Sequence, residues 1–314
     1  MLTFTAAEQV PSDFGRTAVT IGKFDGVHTG HRAVLSRLIE IARQRGLRSA
    51  VVTFDRNPLR LLAPERCPES LVSTAQKLEL LASTGVDATL MLTFDRERSQ
   101  QSAEDFVVTV LVRALAARMV LVGSDFRFGS RGLGTTELLQ RLGAEHGFEV
   151  VSIDDVVNGG RRASSTWIRE LLTQGRVREA AALLGTLPGI RSVVAHGQQR
   201  GRTLGYPTAN LDPAAMEGFI PADGVYAAWM TVDGSRYPAA VSIGNNPTFD
   251  GVPEKQVEAH AIDASLDIYG RPVALEFVEY VRGMRRFGGS EELAAQMRSD
   301  EDRIRELLGV APRA

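Results

Sequence analysis

Thr20-Ile21-Gly22-Lys23-Phe24-Asp25-Gly26-Val27-His28-Thr29-Gly30-His31 closes an apolar strand and opens a helix, with three glycines and two histidines across the junction. Gly22, Gly26 and Gly30 leave the backbone free for φ > 0 and for close approach to a ligand. A helix beginning near Thr29 points unpaired N–H groups and its positive dipole end at that place, which suits an anion. His28 and His31, three apart at the helix start, can turn both rings to one point. The dipole alone favours neutral imidazoles, whereas a bound triphosphate favours the protonated, donating form. Two such donors suit charge building on an α-phosphate during nucleotidyl transfer. The same pattern also fits a plain strand-to-helix turn with two solvated histidines.

The surroundings decide the fold of this half. Short apolar runs at 17–21, 49–54, 89–92, 119–122 and 150–153 alternate with helical stretches, the pattern of a parallel sheet covered on both faces. Ser73 with Gln76 forms a capping box, Ser102 precedes Ala103-Glu104-Asp105 as an N-cap, and Gly85 and Gly147 mark helix stops. Ligands of such sheets collect where strands end, which directs attention to three further loops. They are Phe54-Asp55-Arg56-Asn57-Pro58, then Gly123-Ser124-Asp125-Phe126-Arg127-Phe128-Gly129, and then Asn158-Gly159-Gly160-Arg161-Arg162-Ala163-Ser164-Ser165-Thr166-Trp167-Ile168-Arg169. In the last, hydroxyls at the start of a helix running towards Gly175, with Arg169 one turn in, make a second anion site or simply a set of capping serines beside solvated arginines.

Around 185–188 the grammar changes to short β-like stretches at 192–195, 225–232, 239–243, 257–262 and 273–281, with Asp233-Gly234 as a hairpin signal. This reads as a compact, mainly antiparallel barrel. A last helix follows, with Ser290 as its cap and Leu293, Met297, Ile304 and Leu308 as the apolar stripe against the barrel. The barrel half holds its own glycine-rich loop, from His196 to Asn210, in which Arg200, Gly201 and Arg202 can fold over phosphates. Thr208 and Asn210, two apart after Pro207, offer two neutral oxygens on one side of an extended segment, a donor set suited to Mg²⁺.

The Gly-x-Phe-Asp-Gly-x-His-x-Gly-His string resembles the adenylyltransferase signature of the HxGH nucleotidylyltransferase superfamily, in its flavin branch. Gly201-Arg202-Thr203-Leu204-Gly205-Tyr206-Pro207-Thr208-Ala209-Asn210 resembles the riboflavin kinase signature, and the blocks at 221–226, 242–249 and 257–260 resemble its continuation in the same order. Nearly the whole chain is therefore similar to the bacterial bifunctional riboflavin kinase/FAD synthetase family. That resemblance implies a Rossmann-like α/β FMN adenylyltransferase domain over 1–185, and a six-stranded β-barrel riboflavin kinase domain with a C-terminal helix over 186–314. It implies that ATP phosphorylates riboflavin to FMN and that a second ATP adenylylates FMN to FAD, with Mg²⁺ as cofactor. Carried over by motif, Gly22, Phe24, His28 and His31 hold ATP in the first domain, with Asp125, Arg161, Ser164, Ser165, Thr166 and Arg169. In the second, Gly201, Arg202, Thr208 and Asn210 position Mg-ATP and Glu258 is the base for the riboflavin 5′-hydroxyl. Without the family context, Glu258 reads as one exposed position of an alternating strand. The loop at 54–58 departs from the family, whose members commonly read Phe-Asp-Pro-His-Pro there. Two other classes stand beside this reading: an enzyme retaining one activity, the kinase first, or a flavin-binding regulatory protein.

Composition bounds the rest. A chain of 314 residues suits about two domains. With 44% hydrophobic and 24% charged residues it is an ordinary globular sequence, and a net charge of −2 gives no basic field for nucleic acid. One cysteine, Cys67, forms no internal disulfide and fits a reducing compartment, so the expected location is cytoplasmic. The most apolar long run, 106–123, is broken by Arg113 and Arg118 and is too interrupted to span a membrane.

Overall fold

The computed structural model describes residues 1–123, 125–153, 157–195, 206–244 and 255–312. Their packing divides the chain into two units, Met1–Ser164 and Ser165–Ala314.

The first unit contains β1 (Leu2–Phe4), β2 (Thr17–Ile21), α1 (Thr29–Gln44), β3 (Arg48–Phe54), α2 (Leu59–Leu62), α3 (Thr74–Ala82), β4 (Ala88–Leu92), α4 (Arg96–Gln100) and α5 (Ala103–Phe106). α5 runs on into a π-helical stretch, Val107–Ala114, before β5 (Ala117–Gly123), α6 (Thr136–His146), β6 (Glu149–Ile153) and the short pair β7 (Val157–Asn158) and β8 (Arg161–Arg162). β1 to β6 form one parallel sheet in the order β1-β4-β3-β2-β5-β6. Strand alternation sends Val19 and Ile21 of β2 into one core with Phe106, Val110, Leu111, Leu139 and Leu142, and Ala18 into another with Leu38 and Ile41 of α1. α1 thus covers one face, and α5 with α6 the other. The capping box of Ser73 and Gln76 and the Ser102 cap are both formed. The edge strand β1 had no signal in the sequence, because three residues pairing along one edge leave no alternating pattern to read.

The second unit begins with α7 (Ser165–Thr173) and α8 (Val177–Leu184). β9 (Gly189–Ala195), β10 (Ala209–Leu211), β11 (Gly224–Val232), β12 (Ser235–Gly244), β13 (Gln256–Ala261) and β14 (Pro272–Arg282) then close a barrel in the order β10-β13-β12-β11-β14-β9, followed by α9 (Ser290–Leu308). Every pairing in it is antiparallel. Asp233 (φ +49°) and Gly234 (φ +77°) make the two-residue hairpin between β11 and β12.

α9 differs from expectation in two ways. Gly289, extended and without a side-chain cap, is the N-cap, so Ser290 is the first helical residue. The stripe is also not purely apolar. Ile304 is buried, but so are Asp300, Glu301 and Arg305. Arg282 of β14 grips Asp300 with Nε and Nη2 (2.7 to 3.0 Å), and Arg305 bonds Asp263 and Glu301 (2.5 and 2.8 Å). Burying these charges requires such paired geometry, which residue spacing alone does not reveal.

Candidate active sites

Chain order reverses between β2 and β5, and this switch point is where a doubly wound sheet takes its ligand. The loop after β2 is tied down by its own apolar residues. Phe24 and Val27, in left-handed conformations (φ +49° and +41°), bury their side chains with Leu35, Val51, Leu81 and Val86. Gly26 has the positive φ (+82°) expected of it, whereas Gly22 and Gly30 do not. Those two glycines are needed for space. A Cβ on Gly22 would lie 3.0 Å from the Phe24 ring, and one on Gly30 would lie 3.1 Å from the His28 ring.

His28 is the N-cap of α1, and the backbone N–H of His31 donates to its Nδ1 at 3.4 Å. The two rings stack with centroids 3.7 Å apart, and Phe24 closes on His31 at 5.0 Å. Both histidines are therefore brought to one point. Burial, then the Arg162 charge, pushes His28 down to about 4, and burial, then His28, Arg162 and Lys77, holds His31 well below its ordinary range. Both are neutral at pH 7 in the protein alone. The buried Nδ1 of His31 has no hydrogen-bond partner among the described residues.

Across the switch point, Arg162 of β8 donates to Asp125 Oδ2 at 2.8 Å and holds that carboxyl below its usual range. Gly159 and Gly160 (φ +55° and +82°) turn the chain between β7 and β8. Of the two consecutive arginines of β8, Arg162 is the one that bonds Asp125. Arg162 was missed as a site residue because two consecutive arginines are indistinguishable until the strand register is known. The carbonyl of Ala163 lies 3.5 Å from where a Gly30 Cβ would stand, which brings Ser164 to the start of α1. Ser165, Thr166 and Arg169 open α7 and belong to the second unit.

On the barrel, β13 buries Val257, Ala259 and Ala261 and turns Gln256, Glu258 and His260 outward. Asn210 of β10 pairs directly with Glu258, and Ser242 of β12 flanks Glu258 on the other side. Thr208 and Asn210 are half-buried, two apart, and so share the outer face with Glu258. β10 went unread because it is three residues long and sits inside the glycine-rich segment. Gly201 and Arg202 lie outside the described residues. Among the described residues no cluster of three or more His, Cys, Asp or Glu side chains forms a metal site. The hard, neutral oxygens of Thr208 and Asn210 fit Mg²⁺, which draws its other ligands from phosphate and water.

A doubly wound sheet with paired histidines at its switch point, together with a closed barrel bearing a carboxylate among neutral oxygens, defines a two-unit nucleotide-using transferase. The FAD synthetase family model matches residues 10–167 and the riboflavin kinase model matches 184–308. The bifunctional riboflavin kinase/FMN adenylyltransferase of Escherichia coli K12 is 39% identical over 93% of each chain, and that of Listeria monocytogenes 36% over 91% of each. The crystal structure of a Streptococcus pneumoniae protein described as a macrolide-efflux protein superposes with a TM-score of 0.86 at 31% identity, covering 97% of this chain and 99% of that one. Among the described residues no helix is long and apolar enough to cross a membrane. The chain belongs to the bifunctional riboflavin kinase/FMN adenylyltransferase family.

Proposed function

We propose that adenylyl transfer takes place at the β2–β5 switch point around His28 and His31, and riboflavin phosphorylation on the outer face of the barrel at the Asn210–Glu258 pair. The chain is an enzyme of flavin cofactor synthesis, making FMN from riboflavin and ATP, and FAD with pyrophosphate from FMN and ATP. The observation that carries the placement is the stacked histidine pair at a helix start.

When a triphosphate enters, its negative charge raises the proton affinity of both rings, and each becomes a donor to the α-phosphate as the FMN phosphate oxygen attacks. Arg162, held by Asp125, adds a fixed positive charge on the same side. Gly22 and Phe24 belong to the same loop as the histidines, and Arg161 and Ser164, on either side of Arg162 and Ala163, supply further phosphate contacts. In the barrel, Glu258 takes the proton of the riboflavin 5′-hydroxyl while Thr208 and Asn210, with Gly201 and Arg202, place the γ-phosphate in line. Thr208 and Asn210 would hold Mg²⁺, which when bound supplies neutralisation of phosphate charge. No covalent intermediate with the protein is required.

We set the functional boundary between 185 and 186, beside the start of the riboflavin kinase match at 184. The lone cysteine and near-neutral charge support a cytoplasmic enzyme acting on small flavins. The deciding experiment separates the products of purified protein mixed with riboflavin, ATP and Mg²⁺. FMN together with FAD is expected; FMN alone would leave one activity, and neither product would leave a binding role.

A further inference from the structure

A lysine ammonium is seldom buried, because removing its charge from water is costly unless partners replace the solvent. Lys77 of α3 is 8% exposed. It stands one turn before Leu81, which packs with Phe24, Val27, Leu35 and Val51, so helix geometry puts Lys77 on the same inward face. Its Nζ donates to the carbonyl oxygen of Phe54, the last residue of β3, at 2.9 Å.

The titratable groups around it come from two loops and one helix. Asp25 follows β2 and Asp55 follows β3; both favour the ammonium, while burial, the larger influence, lowers its proton affinity. The two carboxylates are themselves anchored: Asp25 Oδ1 accepts the Leu71 N–H at 2.9 Å, and Asp55 Oδ1 accepts the Phe94 N–H at 2.9 Å, with Arg56 on Oδ2. From α1, His31 feels the Lys77 charge together with those of His28 and Arg162. The ammonium therefore sits at the end of β3, within reach of the carboxylates that follow β2 and β3 and of the field felt by His31, and no step described above uses it.

We propose that Lys77 is a positioning residue for adenylyl transfer, its buried ammonium clamping the end of β3 to the loop that carries Phe24 and Asp25 and thereby setting the place of the His31 ring. The inference rests on the adenylyl-transfer reading of the His28–His31 site. It acts through those neighbours and not by contact with the reacting atoms.

The test uses the full chain and compares Lys77→Met, which keeps length and loses charge, with Lys77→Arg, which keeps charge and donors. FAD formation from FMN and FMN formation from riboflavin are followed from pH 7 to pH 10. In Lys77→Met, kcat for FAD formation is expected to fall by about 10- to 100-fold with FMN formation unchanged, and Lys77→Arg to recover most of the rate. The parent should also lose FAD formation at alkaline pH as Lys77 loses its proton, and Lys77→Arg should not, since a guanidinium stays charged. A Lys77→Met protein that makes FAD at the parent rate overturns the inference. Should that variant not fold, superimposed alkaline limbs of the parent and Lys77→Arg overturn it instead. A parent that makes FMN but no FAD overturns both this inference and the site reading beneath it, whereas a parent active in both reactions beside an unaffected Lys77→Met overturns this inference alone.

Discussion

His260 Nδ1 lies 2.8 Å from the carbonyl oxygen of Pro207, across from β13 to the segment that leads into β10. A carbonyl only accepts, so the ring carries its proton on Nδ1 and ties down the residue before Thr208. Tyr206 meets the same ring edge-on at 5.3 Å. Glu258, the proposed base, and the Thr208–Asn210 oxygens therefore share a support two residues from Glu258. Replacing His260 with Ala is expected to raise KM for ATP in riboflavin phosphorylation by about 3- to 10-fold, with a smaller change in kcat and none in adenylylation. Steady-state kinetics of the two reactions check this.

The two reactions should respond to separate substitutions. Glu258→Gln keeps shape but loses the proton acceptor, and should slow FMN formation by about 100-fold or more while FAD formation from supplied FMN persists. His31→Ala should do the reverse, by about 100-fold, since it removes one donor to the developing charge. Equal damage to both reactions by either change would contradict the assignment.

Acid should destabilise the sheet unit through its histidines. The His28 proton affinity falls from the ordinary 6.5 to about 4 on folding. Between those values the unfolded chain binds a proton that the folded one refuses, so stability drops as pH falls through that window and levels off below it. His28 alone should cost about 2 kcal/mol at pH 5 relative to pH 7, and His31 adds in the same direction. Urea unfolding at the two pH values measures the difference, which His28→Asn should reduce; an unchanged slope in that variant would contradict it.

The kinase unit should survive alone, but better with its two leading helices. α8 packs on β14, the Ala222 N–H donates to Leu172 O at 2.9 Å, and a Cβ on Gly175 would stand 3.0 Å from Tyr280. Residues 165–314 and residues 186–314 are both expected to make FMN. The shorter chain loses these contacts and should melt lower by on the order of 10 °C. Equal melting temperatures would show that α7 and α8 add nothing to the barrel.

Arg56 donates to Asp55 Oδ2 through Nη2 and Nε at 2.9 and 3.2 Å, and Asn57 Oδ1 accepts the Leu59 N–H at 3.1 Å as α2 begins. The charge of Arg56 is thus engaged at the strand end, while the amide of Asn57 shapes the turn. The double change Arg56→Pro with Asn57→His, towards the common family reading, should raise FAD formation and leave FMN formation as it was. A fall in FAD formation would instead make Arg56 and Asn57 working parts of the site.

Local order was legible wherever periodicity or capping chemistry recorded it. β2 was bounded correctly by its apolar run, the Ser73 and Ser102 caps by their hydroxyls, and the β11–β12 hairpin by Asp233-Gly234, because each is settled by residues a few positions apart. The histidine pair was legible too, since a spacing of three at a helix start suffices to bring two rings together. What depends on residues far apart in the chain was not. That Arg162 and not Arg161 meets Asp125 follows from the register of β8, and that Glu258 stands opposite Asn210 follows from the pairing of β10 with β13. The burial of Lys77, Asp300, Glu301 and Arg305 was also unreadable, for a charged residue looks like surface until the fold delivers the partners that replace its water. Sequence settled which groups are present and how near neighbours turn; tertiary structure alone decided which charges are desolvated together, because desolvation depends on every element packed around a site.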